Sequence, residues 1–177
     1  MQLHLTSAAT ILGQSSNISI GIVHDLYPTN SSQYNALQRL NLENSRLGIP
    51  ALQFGECLHG VGSYRQSMFP QSLGMAASFD TDLVKRVGRA IGSEARSLGI
   101  GVCLSPVLDL GLEPRWGRVQ EGWGEDVLLT SQMGVAMASG LSKDGQWGSW
   151  DAVVPAVKRT FFLLWPWPLF RWLVIKV

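Results

Sequence analysis

The clearest pattern in the chain is the helical spacing of apolar residues between positions 80 and 98. Apolar side chains recur there every three or four residues, which predicts an amphipathic α-helix with one buried face. Asp80 can accept a hydrogen bond from the free amides of the first turn, and Gly99 suits the left-handed conformation that follows a last turn. The predicted buried face consists of Leu83, Val84, Val87, Ala90, Ile91, Ala95 and Leu98.

Short apolar runs on both sides of this helix predict strands at residues 51–54, 101–110 and 152–158. The run at 101–110 is continuous, which is typical of a strand buried on both faces. The first 45 residues are rich in Ser, Asn and Thr, and we interpret them as loops with at most one helix, around 33–45. A second helix is predicted near 126–142, with the apolar positions Val127, Leu128, Met133, Val135, Met137 and Leu141.

The order of these elements predicts the fold class. Strands that alternate with amphipathic helices predict an α/β fold in which the strands pair in parallel. A (β/α)₈ TIM-type barrel and an open doubly wound sheet both fit this order. About three βα units are visible, whereas a barrel has eight, so the barrel interpretation predicts an incomplete barrel that contains the N-terminal portion only.

Composition narrows the possible partners. The chain has 177 residues, 46% of them hydrophobic, and a net charge of +1, so we expect neither a nucleic-acid partner nor an anionic membrane. The histidines His4, His24 and His59 lack ligand-like spacing, so no metal site is predicted. Cys57 and Cys103 lie in apolar surroundings, which predicts burial and leaves a disulfide open without favouring it.

The sequence does not assign the chain to a cellular compartment. The N-terminus lacks the cationic start and continuous apolar run of a signal peptide. Two glycosylation-type triplets, which begin at Asn17 and Asn30, are common by chance and favour a secreted history only weakly.

The stretch "LEPRWGRVQEGWGED" at residues 112–126 follows a predicted buried strand and precedes a helix. In parallel α/β folds, ligands bind at this end of the sheet, and a loop of this length is usually functional. An arginine can hold a carboxylate or two neighbouring hydroxyls, and a tryptophan offers an apolar face to a sugar ring. The alternative is structural, with Arg115 and Arg118 paired to Glu113, Glu121 or Glu125.

Three stretches, one of which contains this loop, carry a family resemblance. "SRLGIPALQFGECLHGVG", "FPQSLGMAASFDTDLVKRVGRAIGSEARSLGI" and "CLSPVLDLGLEPRWGRVQEGWGED" resemble the N-terminal barrel of family 3 glycoside hydrolases, which include β-glucosidases and β-xylosidases. The resemblance extends from about Asn44 to Lys158. It implies a (β/α)₈ barrel and retaining hydrolysis of terminal β-linked sugars without a cofactor. Retention uses two carboxyl groups about 5–5.5 Å apart.

The resemblance also implies roles for individual residues. Glu56, Arg118 and Lys158 match positions that bind sugar hydroxyls in the family. Arg115 then braces the loop, Glu121 orients Arg118, and His59 is a structural histidine.

The resemblance stops after Lys158, where the family has histidine and this chain has Arg159. We therefore divide the chain into a lead-in at 1–45, a partial family 3 barrel at 46–158 and an aberrant hydrophobic tail at 159–177. The tail contains Pro166, Pro168 and Arg171, which argue against a membrane span. The family's nucleophilic aspartate and its general acid/base match no residue of this chain, so no catalytic residue is assigned.

These observations predict a β-glucosidase-type hydrolase of polysaccharide breakdown, present here as a truncated and inactive fragment. The alternatives are a β-xylosidase-type member and a non-catalytic sugar-binding fragment. In each case the expected partner is a β-linked glucoside or xyloside.

Overall fold

The computed structural model describes residues 20–24, 31–62 and 65–159. The strands are β1 (Ile22–His24), β2 (Leu52–Gly55), β3 (Val102–Cys103) and β4 (Val154–Pro155). The helices are α1 (Ser31–Asn44), α2 (Ser72–Ala76), α3 (Thr81–Ser97) and α4 (Val127–Leu141), with a 3₁₀ turn at Val119–Glu121.

The four strands form one parallel sheet in the order β1-β2-β3-β4. Neighbours in the sheet are therefore neighbours along the chain, and the order never reverses. A doubly wound sheet contains such a reversal, whereas a (β/α)₈ barrel adds its strands sequentially. The predicted fold class, a partial α/β barrel, is confirmed.

β1 is the strand that sequence patterning did not predict. The interpretation of residues 1–45 as loops with at most one helix holds for α1 and is wrong at Ile22–His24. The buried Asn41 of α1 holds this strand, because its side-chain amide accepts from the Ile20 backbone N–H and donates to the Ile20 carbonyl, both at 3.0 Å. A small core joins the strand to α1 through Ile20, Val23, Leu37 and Ala51.

α3 forms where the apolar spacing predicts it. The Asp80 side chain accepts a hydrogen bond from the Leu83 backbone N–H at 2.8 Å, and Gly99 adopts a φ of +88° after the last turn. Leu83 is an exception to the predicted face, since 37% of it is exposed. The main core includes Val84, Val87, Ile91, Ala95 and Leu98 of this helix region.

α4 packs against α3 with its backbone close to that of its neighbour. A Cβ at Gly140 would lie 2.3 Å from the Lys85 carbonyl oxygen, and one at Gly88 would lie 2.7 Å from the Met137 carbonyl oxygen. Only part of the predicted apolar set of α4 is buried. Met133, Met137 and Leu141 lie in the core, whereas Val127, Leu128 and Val135 are exposed.

Cys57 and Cys103 are joined by a disulfide, with a Cα–Cα separation of 5.5 Å. Both are buried, as the sequence predicts, but nothing in the sequence favoured their pairing. The sheet register supplies the reason, because Gly55 of β2 is the partner of Cys103 of β3. The bond therefore ties the segment just after β2 to the neighbouring strand.

Parts of the sequence-based interpretation lie outside the described residues. These are residues 1–19, which include His4 and Asn17, residues 25–30, which include Asn30, and residues 160–177, which make up nearly all of the predicted hydrophobic tail. Among the residues that are described, no helix is long and apolar enough to cross a membrane.

Asp151, just before β4, holds α3 and the α4–β4 connection together. Its carboxylate accepts from the hydroxyl of Ser149, from the guanidinium of Arg89 and from Lys143, whose Nζ lies 3.2 Å from both carboxylate oxygens. The hydrogen bond from Ser149 lowers the pKa of Asp151, and the positive charges of Lys143 and Arg89 add to this effect. Desolvation of the carboxylate opposes it.

This lowered pKa predicts a pH-dependent contribution to stability. The carboxylate binds a proton less readily in the folded chain than in the unfolded chain, so its contribution is complete above the unfolded pKa of about 3.9. It is lost as the pH falls through the folded value.

We expect Asp151→Asn to lower the urea midpoint at pH 7, and its difference from the wild type to shrink below pH ~4. Glu43→Gln, at an exposed site on α1, is the control and should change the midpoint little at either pH. A constant Asp151→Asn difference from pH 7 to pH 3 would contradict the assignment.

Candidate active site

The candidate site lies where the carboxyl ends of the four strands meet. His24 ends β1, Glu56 directly follows β2, the loop at 110–126 follows the β3 segment, and Lys158 follows β4. Lys158 is held by a parallel bridge to Val107, and its carbonyl accepts from the Leu108 backbone N–H at 2.8 Å. Parallel pairing thus brings groups from distant parts of the sequence to one edge of the sheet.

Glu56 is the centre of this cluster. Its Oε2 lies 3.1 Å from Nζ of Lys158, a residue 102 positions later in the sequence. Its Oε1 lies 3.5 Å from Nε2 of His24. The three side chains are 31%, 28% and 39% exposed, respectively, so they are accessible to a small ligand.

Arg118 pairs with Glu121, a contact that both the sugar-binding and the structural interpretation of this loop predict. Its Nε and Nη2 donate to the two carboxylate oxygens of Glu121 at 2.7 and 2.5 Å. This bidentate pair raises the pKa of Arg118. Desolvation opposes the effect, and the negative charges of Glu121, Glu56 and Asp109 raise the pKa further. The charge of Glu56 therefore acts on Arg118 as well as on Lys158.

Arg115 occupies a different position from Arg118. Its guanidinium donates twice to Glu113 at 2.7 Å, and its side chain is 86% exposed. The hydrogen bonds from Arg115 lower the pKa of Glu113, and the same pair raises the pKa of Arg115. The structure brings together Glu56 and Lys158, and Arg118 and Glu121, and it places Arg115 in a local surface pair.

The loop that carries Arg118 is anchored in the core by Trp123, which is 1% exposed. Beside it, Gly122 passes so close to the segment that follows β3 that a Cβ there would lie 2.7 Å from the Asp109 carbonyl oxygen. The Gly111 backbone N–H donates to the Gly124 carbonyl at 2.9 Å and closes the loop at its base. Trp123 therefore has a structural role in the core, and the pairs Arg115–Glu113 and Arg118–Glu121 are those of the structural alternative for this loop.

Two polar residues near the site were missed in the sequence. His24 lies in a three-residue strand that is too short to show a period. Asp109 is 7% exposed and lies inside an apolar run. An acidic residue near the carboxyl end of a predicted strand is a signal that could have identified it. His59, by contrast, fits its structural prediction, because its Nδ1 lies 2.9 Å from the Phe69 carbonyl oxygen.

This arrangement can bind a neutral polyhydroxyl ligand. A carboxylate accepts hydrogen bonds from hydroxyls, whereas lysine and arginine donate to their oxygens. Glu56 and Lys158 are in contact at this accessible edge, and the charge of Glu56 acts on Arg118 in the loop after β3. Within the described residues, no group of three or more His, Cys, Asp or Glu side chains is placed to hold a metal ion. The fold and the site define part of a singly wound (β/α) barrel with a polar cluster where its strands end.

Comparison with known proteins assigns the family. Residues 16–160 match the glycosyl hydrolase family 3 N-terminal domain, and the chain belongs to this family. It is 41% identical over 109 residues to a β-xylosidase of Formosa agariphila and 42% identical over 97 residues to a periplasmic β-glucosidase of Salmonella typhimurium. These alignments cover 58% and 55% of the chain.

Solved structures of the family share the fold. The chain superposes with a TM-score of 0.70 and 33% identity on the β-glucosidase from Listeria innocua in complex with glucose, over 77% of this chain and 18% of that one. The alignments cover 15% of the β-xylosidase and 12% of the periplasmic β-glucosidase. The chain therefore corresponds to a small part of these relatives.

Proposed function

We propose that this chain forms part of the sugar-binding site of a retaining β-glycosidase, with a terminal β-linked glucosyl or xylosyl residue as its ligand. The contact between Glu56 and Lys158 carries this proposal, because it joins two separately predicted sugar-binding residues at 3.1 Å. Arg118 is held in a fixed orientation by Glu121, which leaves its remaining donors for sugar hydroxyls. Glu121 and Arg115 support the loop.

Hydrolysis belongs to the whole protein in this proposal. Retention requires a nucleophilic carboxylate and an acid/base carboxyl about 5–5.5 Å apart. We assign neither role within residues 1–177. Loss of a nucleophile removes several orders of magnitude in rate, so we expect binding without turnover from the chain alone.

Calorimetric titration of the purified chain with glucose and with xylose tests the proposal. We expect saturable binding of at least one sugar. Arg118→Ala should weaken it by about tenfold, because a charge-assisted hydrogen bond to a hydroxyl is lost. Arg86→Ala, at an exposed position on α3, is the matched control and should leave the affinity within about twofold of the wild type.

Two outcomes would contradict the proposal. One is the absence of saturable binding of either sugar by folded wild-type chain. The other is release of the phenol from an aryl β-glucoside by the purified chain, which would place a nucleophile within these residues. The ratio of the glucose and xylose affinities also separates the β-glucosidase type from the β-xylosidase type.

A further inference from the structure

We propose that His24 is a positioning residue for Glu56. In this proposal, its Nε2–H donates to Oε1 of Glu56 and fixes the carboxylate in the orientation that receives the sugar. The effect of this contact on sugar binding rests on the proposed function. The contact between the two side chains is independent of that function and can be tested without a ligand.

The backbone places His24 beside Glu56. His24 is the last residue of β1, and its register partner in β2 is Phe54, two residues before Glu56. Its imidazole therefore reaches the same edge of the sheet as the carboxylate. The Nε2 atom is buried although the side chain as a whole is 39% exposed, and Oε1 of Glu56 lies 3.5 Å away.

The chemistry of the pair determines which form of His24 is compatible. An ionised carboxylate only accepts hydrogen bonds, so the ring nitrogen that faces it must carry a proton. A neutral His24 must then be the Nε2–H tautomer. The separation of 3.5 Å exceeds the usual hydrogen-bond range of about 2.7–3.2 Å, but at this distance the carboxylate charge still favours a proton on the nitrogen that faces it.

The remaining capacity of Glu56 fits a sugar. A carboxylate has about four acceptor sites, and Lys158 and His24 face one oxygen each. About two sites then remain, one on each oxygen, which suits two adjacent hydroxyls of a pyranose. Arg118 adds its positive charge to the same neighbourhood from the loop after β3. Without His24, the carboxylate could rotate about its last bond, and its orientation would depend on Lys158.

Nitrogen-15 NMR of the histidine rings tests the contact in the absence of sugar. In wild-type chain at pH 8, we expect His24 to be present as the Nε2–H tautomer alone, and the His24→Gln spectrum assigns its signals. In Glu56→Ala, the Nδ1–H tautomer should become measurable, because the acceptor that selects Nε2–H is gone. An Nδ1–H form in the wild type, or the same tautomer mixture in both proteins, would overturn the inference.

Sugar affinity provides the second test. His24→Ala should weaken binding by about fivefold, and His24→Gln, whose amide nitrogen can reach as far as Nε2, should restore most of it. His24→Asn is the matched control, since its amide is one carbon shorter and should not restore binding. In a Glu56→Ala background, His24→Ala should have no additional effect, because its partner is absent.

These two tests distinguish a failure of the proposed function from a failure of the positioning role of His24. If the wild type binds neither sugar while the tautomer changes as expected, the proposed function fails and the positioning of Glu56 by His24 stands. If sugar binds but the effects of His24→Ala and Glu56→Ala simply multiply, the positioning role is wrong and the proposed function stands.

Discussion

Replacement of both Cys57 and Cys103 by alanine is expected to lower the free energy of unfolding by about 4 kcal/mol, with chain entropy as the main cause. The disulfide joins residues 46 positions apart, so it removes many conformations from the unfolded chain. It also fixes the backbone directly after Glu56 to β3. The double variant should therefore lose sugar affinity as well as stability.

Urea unfolding followed by circular dichroism measures this effect. Dithiothreitol serves as an internal control, because it should lower the urea midpoint of the wild type and leave that of the double variant unchanged. Equal midpoints for the oxidised wild type and the double variant would show that the cross-link contributes nothing to stability.

Trp123→Ala is expected to cost about 3–5 kcal/mol, the usual range for truncation of a buried aromatic residue. Trp123 is 1% exposed and packs in the main core, although it belongs to the loop that carries Arg118. Among the described residues, its indole N–H has no hydrogen-bond partner. Trp123→Phe should therefore cost less than Trp123→Ala, because it keeps an aromatic ring in the core and removes no hydrogen bond.

Trp150→Ala is the matched control for this prediction. Trp150 is 82% exposed, and its removal should change the free energy of unfolding by less than about 0.5 kcal/mol. Both variants are measured by urea unfolding. A Trp123→Ala variant as stable as Trp150→Ala would mean that the loop is not anchored by this side chain.

The sequence predicts α3 well because several local signals coincide there. The apolar spacing, the cap at Asp80 and the left-handed Gly99 all act within one helix. α4 shows the limit of such patterns. This helix is apolar over most of its surface. Its existence could therefore be predicted, but the pattern could not show that Val127 and Val135 lie on the exposed side.

Contacts between residues that are distant in the sequence cannot be predicted from local sequence patterns. Glu56 and Lys158 could be named from the family resemblance, but their separation of 3.1 Å depends on the pairing of β2, β3 and β4. The disulfide depends on the same register. His24 was missed because its strand has only three residues and because its neighbour Glu56 follows a different strand.

The sequential order of the sheet has a consequence for how this site can change. Each successive strand delivers one polar group, in the order His24, Glu56, Arg118 and Lys158. Because each group lies at or after the end of a different strand, exchange of a single strand end with its connection alters one contact and leaves the scaffold beneath the other three intact. Ligand preference in such a design can be adjusted stepwise, one segment at a time.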